Sequence, residues 1–163
     1  DITVHDRPVV DAALTESERT GGPAAALELP DGSIVTGKTS DLLGACSALL
    51  LNALKELAGI GHEIKIISPQ AIEPIQSLKT KYLGSRNPRL HTDEVLIALS
   101  VSAATSEDAK LAMEQLPKLK GCQAHVSVMP GSVDIKQFKL LSIQATFEAK
   151  YEKNSVFFNN KGV

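Results

Sequence analysis

Between Ala25 and Ala58 the sequence sets two short β-prone runs directly before a stretch that is apolar on nearly every side. That order constrains the fold more than anything else in the chain. Ala25–Leu29 and Ser33–Thr36 are joined by Pro30-Asp31-Gly32, which is turn chemistry, so the two runs read as a β-hairpin ending at Gly37. Thr39, Ser40 or Asp41 is then expected to cap a helix running to about Ala58 and stopped by Gly59. Leu42, Leu43, Leu49, Leu50, Ala53, Leu54 and Leu57 cover most of its circumference, so other elements must bury it on several sides.

Residues 32–39 read G-S-I-V-T-G-K-T, a literal match to the phosphate-cradling pattern G-x-x-x-x-G-K-[ST]. In such a loop the middle N–H groups wrap a phosphate and stay clear of any strand ladder. Here the middle residues are Ser33-Ile34-Val35-Thr36, which favour a strand of their own. The match is therefore read as part of the hairpin, and its anion question narrows to Lys38, Thr39 and Ser40 at the expected helix start. Free N–H groups there, with an ammonium beside them, suit an anion. The competing reading is an ordinary capped helix with an exposed lysine.

Elsewhere the punctuation is regular. Arg7-Pro8 opens a helix to about Thr20, closed by Gly21-Gly22. Glu63–Ile67 is expected as a strand, and Ser68-Pro69 opens a helix towards Leu83 with Pro74 inside its first turns. After the polar loop Gly84–His91, Thr92-Asp93 caps a helix to about Ala104, and Ser106 caps another ending near Gly121. Gln123–Met129 reads as a strand, Val133–Leu141 as a helix and Ser142–Glu148 as a last strand. The segments around Pro69-x-x-Ile72-Glu73 and Pro130-x-x-Val133-Asp134 echo one another, as successive α–β–α units in one sheet would.

The expected architecture is α/β, a three-layer α/β/α sandwich whose mixed sheet combines an antiparallel hairpin with parallel crossovers. Residues 1–22 supply a helix packed on a single domain of 23–150, and 151–163 form a polar tail around Val156-Phe157-Phe158. That aromatic pair suits a homo-oligomer contact.

A net charge of −2 gives no electrostatic reason to expect nucleic acid or an acidic membrane, and 4% aromatics supply few stacking platforms. The run Leu42–Leu54 is too short to span a bilayer. Two cysteines, Cys46 and Cys122, fit a reducing, cytoplasmic setting better than a disulfide framework. The first residue is Asp1, not Met, so the chain is expected to belong to something longer.

Further candidates lie in loops and at helix starts. Arg86, Arg89 and His91 occupy the polar loop, where guanidinium forks suit phosphate or carboxylate; ordinary solvated arginines are the alternative. Ser68 and Glu73 sit at a helix start beyond a strand, where ligands of open α/β sheets gather. Cys122 and His125 have C-x-x-H spacing, but residues an odd number apart on a strand face opposite ways, so both read as packing residues. His5 and His62 have no evident partner.

Two resemblances follow. The run A-L-E-L-P-D-G-S-I-V-T-G-K-T-S, with R-L-H-T-D-E-V-L-I-A-L and A-M-E-Q-L-P-K-L-K-G-C, resembles the C-terminal part of a bacterial family known as domain of unknown function eighteen forty-six. The likeness covers most of residues 23–152. It implies a longer protein whose upstream region carries its own glycine-rich loop and is this chain's partner, and it brings no activity. The second likeness is to the cytidine deaminase-like fold. D-G-S-I-V-T-G followed by Cys46-Ser47-Ala48 is similar to that fold's hairpin and C-A-E segment, and Ser68-Pro69-Gln70-Ala71-Ile72-Glu73 to its P-C-x-x-C segment. Deamination needs three zinc ligands at helix starts and a glutamate to shuttle protons. On this likeness Cys46 keeps one ligand, Gln70 and Glu73 stand at the thiolate positions, and Ala48 replaces the glutamate. The resemblance implies the frame without the metal, no cofactor and no deamination. The expected role is a non-catalytic interaction or small-ligand module, with an anion-binding enzyme part at Lys38, Thr39 and the Arg86–His91 loop as the alternative.

Overall fold

The computed structural model describes residues 7–150. Helix α1, Pro8–Thr20, starts on proline and ends where Gly21, at φ 78°, returns its N–H to Ser17 O. Strands β1 (Ala24–Glu28) and β2 (Ile34–Lys38) form the expected hairpin in antiparallel register, Ala25 opposite Gly37 and Leu27 opposite Val35. Its turn is held by Leu29 N–H on Ser33 O at 2.8 Å, with Gly32 at φ 90° and Asp31 accepting from Ser33 N–H and hydroxyl. Because the middle of the phosphate-loop match is an extended strand paired with β1, its N–H groups point alternately to the two sides and cannot wrap a phosphate.

Helix α2 spans Ala45–Ala58 and ends, as expected, on a left-handed Gly59. Its start differs from expectation: Gly44 is the cap, not Thr39, Ser40 or Asp41. Ser40 instead holds a turn, its hydroxyl accepting from Leu42 and Leu43 N–H, and Leu43 then bridges to Leu90 in extended conformation. That pairing keeps the chain out of the helix for several more residues.

Between α2 and the next strand the chain is helical: α3 (Pro69–Ser77), a π-helical turn Leu78–Tyr82, α4 (Thr92–Ser102), α5 (Glu107–Met113) and a 3₁₀ turn Leu116–Leu119. Pro74 within α3 has no N–H for the carbonyl a turn earlier. The expected strand Glu63–Ile67 does not form. Ile66 and Ile67 both enter the core, and both edges of β1 are already taken by β2 and β3 (Gln123–Val126), so no ladder position beside it is left. Strand β3 leads through α6 (Ser132–Leu140) into β4 (Gln144–Phe147).

The sheet runs β2-β1-β3-β4, with β1 antiparallel to both neighbours and β3 parallel to β4. Of the expected parallel crossovers, the one through α6 is present; the one that needed a strand at 63–67 is not. The side chains of Ala25, Leu27, Ala124 and Val126 join the main core with Leu49, Leu50 and Leu54 of α2. Across the sheet, Ala26 packs on Val9 and Ala13 of α1. Among the described residues no helix is long and apolar enough to cross a membrane. The expected 151–163 tail, with Val156, Phe157 and Phe158, lies outside the described residues, as does His5.

Gly37 shows why the second glycine of the motif is there. A Cβ on it would stand 2.3 Å from Leu49 N and 2.8 Å from Ala45 O, both backbone of α2. The strand and helix touch main chain to main chain, as only glycine permits. Gly37→Ala should therefore lower stability by about 3 kcal/mol, in the upper range for an overpacked core. Gly22→Ala, where nothing lies within 4 Å, should stay near the parent. Denaturant midpoints of the two variants check this, and equal midpoints would refute the contact.

Candidate functional site

The residues singled out from sequence fall into separate places. Lys38 ends β2 opposite Ala24 and is exposed. Thr39 extends the ladder by one bond, its N–H on Pro23 O at 3.1 Å. Since α2 starts only at Ala45, Lys38, Thr39 and Ser40 do not stand at a helix end, and the helix-dipole support for an anion there falls away. Ser68 caps α3, accepting from Ala71 N–H, while Glu73 is exposed on the same helix. Arg86 is exposed in its loop.

Arg89 and Ser40 do meet: Arg89 Nε donates to the Ser40 carbonyl, so the Gly84–His91 loop folds back on the turn after β2. A residue not anticipated from sequence organises this meeting. Lys79, buried in the π-helical turn, donates to Arg89 O at 2.5 Å and to Glu94 Oε1 at 2.8 Å. His91 caps α4, its N–H on Glu94 Oε1 at 2.8 Å. His91, Asp93 and Glu94 have metal-ligand atoms within 4.8 Å of one another. The Lys79 ammonium on Glu94 opposes a cation there, so the cluster reads as a capped helix start tied to a buried lysine.

A further polar tie forms at the start of α6. Asp134 Oδ1 accepts from Thr92 N–H (3.0 Å) and hydroxyl (2.7 Å), tying α6 to α4. Burial pushes the Cys46 thiol well up from its ordinary value, and the charge of Asp134 adds to this. Cys46 is therefore a protonated, inert thiol.

The most connected polar constellation lies on the α1 side of the sheet, at β3 and β4. Arg7, the residue before α1, spreads its guanidinium over both strands: Nε donates to Gln123 Oε1 (2.5 Å), Nη1 to Thr146 Oγ1 (2.6 Å), Nη2 to Gln144 O (3.0 Å) and Ala124 O (3.3 Å). Thr146 lies opposite His125 in the parallel register. Its hydroxyl is 2.6 Å from His125 Nδ1, and Nε2 of the same ring is 2.7 Å from Glu148 Oε2. With Glu148 ionised, Nε2 carries the proton, so in the neutral ring Nδ1 accepts from Thr146, whose lone pair in turn takes Arg7. The chain Arg7–Thr146–His125–Glu148 thus satisfies a histidine that is 1% exposed. Beside it opens a groove of about 530 Å³ lined by Arg7, Pro8, Glu28, Gln123, Gln144 and Thr146.

His125 and Cys122 take opposite sides as expected. Cys122 belongs to the main core, and His125 lies under α1. The polar chain itself was missed. Its signal was present: Gln123, His125, Ser127 and Gln144, Thr146, Glu148 alternate with apolar residues, marking one polar face on each strand.

Fold and site together define a small α/β domain with a mixed four-stranded sheet, apolar on its α2 side and polar towards the β4 edge. The chain belongs to the family described as Domain of unknown function DUF1846, C-terminal, which matches residues 5–157. It is 57% identical over 155 residues to a UPF0371 protein of Corynebacterium glutamicum (strain R), covering 95% of this chain and 31% of that one. A UPF0371 protein of Streptococcus thermophilus (strain CNRZ 1066) is 49% identical over 156 residues, covering 96% and 32%. The chain thus spans about a third of the length of these uncharacterised relatives, and its function is unknown.

Two outcomes follow from these sites. Thr146→Val keeps the shape but strands the Arg7 and His125 nitrogens, so it should cost about 1–3 kcal/mol, read as a denaturant midpoint shift at constant slope. The second concerns pH. The folded Cys46 pKa lies above its ordinary 9.0, so its stabilising share is whole below about pH 9 and is lost as pH rises towards the folded value. Stability should fall less steeply between pH 8 and pH 10 in Cys46→Ala than in the parent; equally steep curves would show that the thiol ionises freely.

Proposed function

We propose that this domain is a non-catalytic, degenerate deaminase-like module. It serves as the C-terminal interaction or small-ligand domain of a longer cytoplasmic bacterial protein. Residues 23–150 form one α/β domain with the helix of the first 22 residues packed on it. The reading treats the fold as a three-layer sandwich, with α1 on one side of the sheet and α2 with the later helices on the other. Both cysteines being free and buried suits a reducing cytoplasm.

The burial of Cys46, the one ligand the likeness keeps, and Ala48 in the place of the proton shuttle carry the proposal. A zinc deaminase needs its ligands at two helix starts that meet. The strand expected before Ser68-Pro69 is absent. Strand β3 instead runs towards Pro130-Gly131-Ser132-Val133-Asp134, which has the same proline-first spacing, and the charge of Asp134 bears on Cys46. The frame therefore fits α6 better than α3, and the thiolate positions then fall on Gly131, which has no donor, and Asp134. Cys46 is protonated and Ala48 offers no proton shuttle. Even with Cys46 and Asp134 both counted, the frame supplies two donors where a structural or catalytic site takes three or four. The one grouping of three His, Cys, Asp or Glu donors among the described residues lies elsewhere, at His91, Asp93 and Glu94.

The alternative, a site for a phosphorylated metabolite or nucleotide, draws support from Arg89, which brings the Arg86–His91 loop onto Ser40 near Lys38 and Thr39. Metal analysis and thermal-shift measurements on the full-length protein separate the readings. We expect zinc far below one equivalent and no stabilisation by nucleotides or sugar phosphates. Stoichiometric zinc would sink the degenerate reading. Stabilisation by an anion that is lost in Lys38→Ala would favour the alternative.

A further inference from the structure

Among the described residues, the two faces of the sheet are unequally covered. On the α2 side, all of the central strands lie under packed helices. On the other side α1 packs on β1, β2 and β3, while β4 is reached by the Arg7 side chain at the front of the helix. Gln144 is exposed there, and the Glu148 side chain, which holds the buried His125, is still 31% exposed. Strand β4 is also an edge of the sheet. Gln144 and Glu148 turn their N–H groups to β3, bonding Cys122 O and Val126 O, so the backbone groups of Ala145 and Phe147 face outward.

We infer that this groove, walled by Arg7, Glu28, Gln123, Gln144 and Thr146, is the seat on which the preceding region of the full-length protein docks. The inference rests on reading the chain as the C-terminal part of a longer protein. Three observations select that occupant. The relatives are about three times as long, and the matching family is described as C-terminal. Arg7 and Pro8, the first two described residues, themselves wall the groove, so the described chain begins beside it. The walls set Pro8 and Ala145 beside one carboxylate, two carboxamides and a guanidinium already bound to the strands, a mixed apolar and polar lining of the kind that faces a neighbouring domain of the same chain. The Arg7–Thr146–His125–Glu148 chain gives the seat a fixed floor, because a satisfied polar network is rigid. Docking then covers the face that α1 leaves open.

The test uses the full-length protein. Gln144→Cys places a thiol in the groove, and Lys139→Cys places one on the exposed side of α6 as a reference. Maleimide labelling is read by mass spectrometry at each site, with melting temperatures confirming that both variants are folded. We expect the groove thiol to react about tenfold more slowly than the reference or slower still, as for a site that opens only transiently, at every protein concentration. A photo-crosslinker attached through the same thiol should map to residues preceding Arg7. Equal labelling rates would overturn the inference. So would protection that grows with concentration, which would point to a second copy, or cross-links confined to residues after Lys150. Zinc content measured on the same preparations reports on the degenerate-frame proposal alone, so the two can fail separately.

Discussion

The backbone-to-backbone approach of β2 and α2 at Gly37 is the contact from which the rest of the main core is placed. It seats α2 against the sheet with Leu49 in contact, and the apolar circumference of that helix then requires neighbours on its remaining sides. Residues 61–119 supply them as helices, and Ile66, Ile67, Ile72, Val95, Leu99, Ala109 and Leu119 all enter the same core. Such an interior gains by burying apolar area from any direction, so a long helical insertion between α2 and β3 is accommodated without a further strand.

Apart from Gln115 Oε1, which is buried without a partner, the buried side-chain polar groups described in this fold are tied. Lys79 is bound by Glu94 and Arg89 O, Ser47 by Leu90 O, Asp134 by Thr92, and His125 by Thr146 and Glu148. An unpaired buried polar group costs about 1–3 kcal/mol, so each tie also fixes a relation between elements distant in sequence. Lys79 locks the polar loop to α4, Asp134 locks α6 to α4, and Arg7 locks the front of α1 to β3 and β4. These ties turn four loops and helix starts into fixed geometry, and among the described residues they leave the β4 end of the polar face open.

Much of the fold was legible. Proline and glycine punctuation located α1, the hairpin, the end of α2 and the starts of α3 and α6 to within a residue or two, because those residues act through their own backbone conformations. The start of α2 was misread since Thr39, Ser40 and Asp41 are all good caps, and only the pairing of Leu43 with Leu90 shows that the chain stays extended. The strand at Glu63–Ile67 differs for a related reason: β-propensity describes what a residue tolerates, whereas a strand needs a partner edge, and this segment lies against none. At the candidate sites the sequence showed residue types without depth. Arg89 was singled out, and Lys79, which organises its loop, was not, because a lysine in a helix normally lies in water.

By itself the sequence determined the α/β class, the hairpin that disqualifies the phosphate-loop match, the buried helix after it and the family. Each depends on local conformational preference or on patterns spanning adjacent residues. Tertiary structure decided the sheet order, the tie of Asp134 to Thr92 and the joining of Arg7, Thr146, His125 and Glu148 across more than a hundred positions. Those relations follow from which surfaces bury one another. That outcome is a property of the whole chain's packing, to which no single segment's preference points.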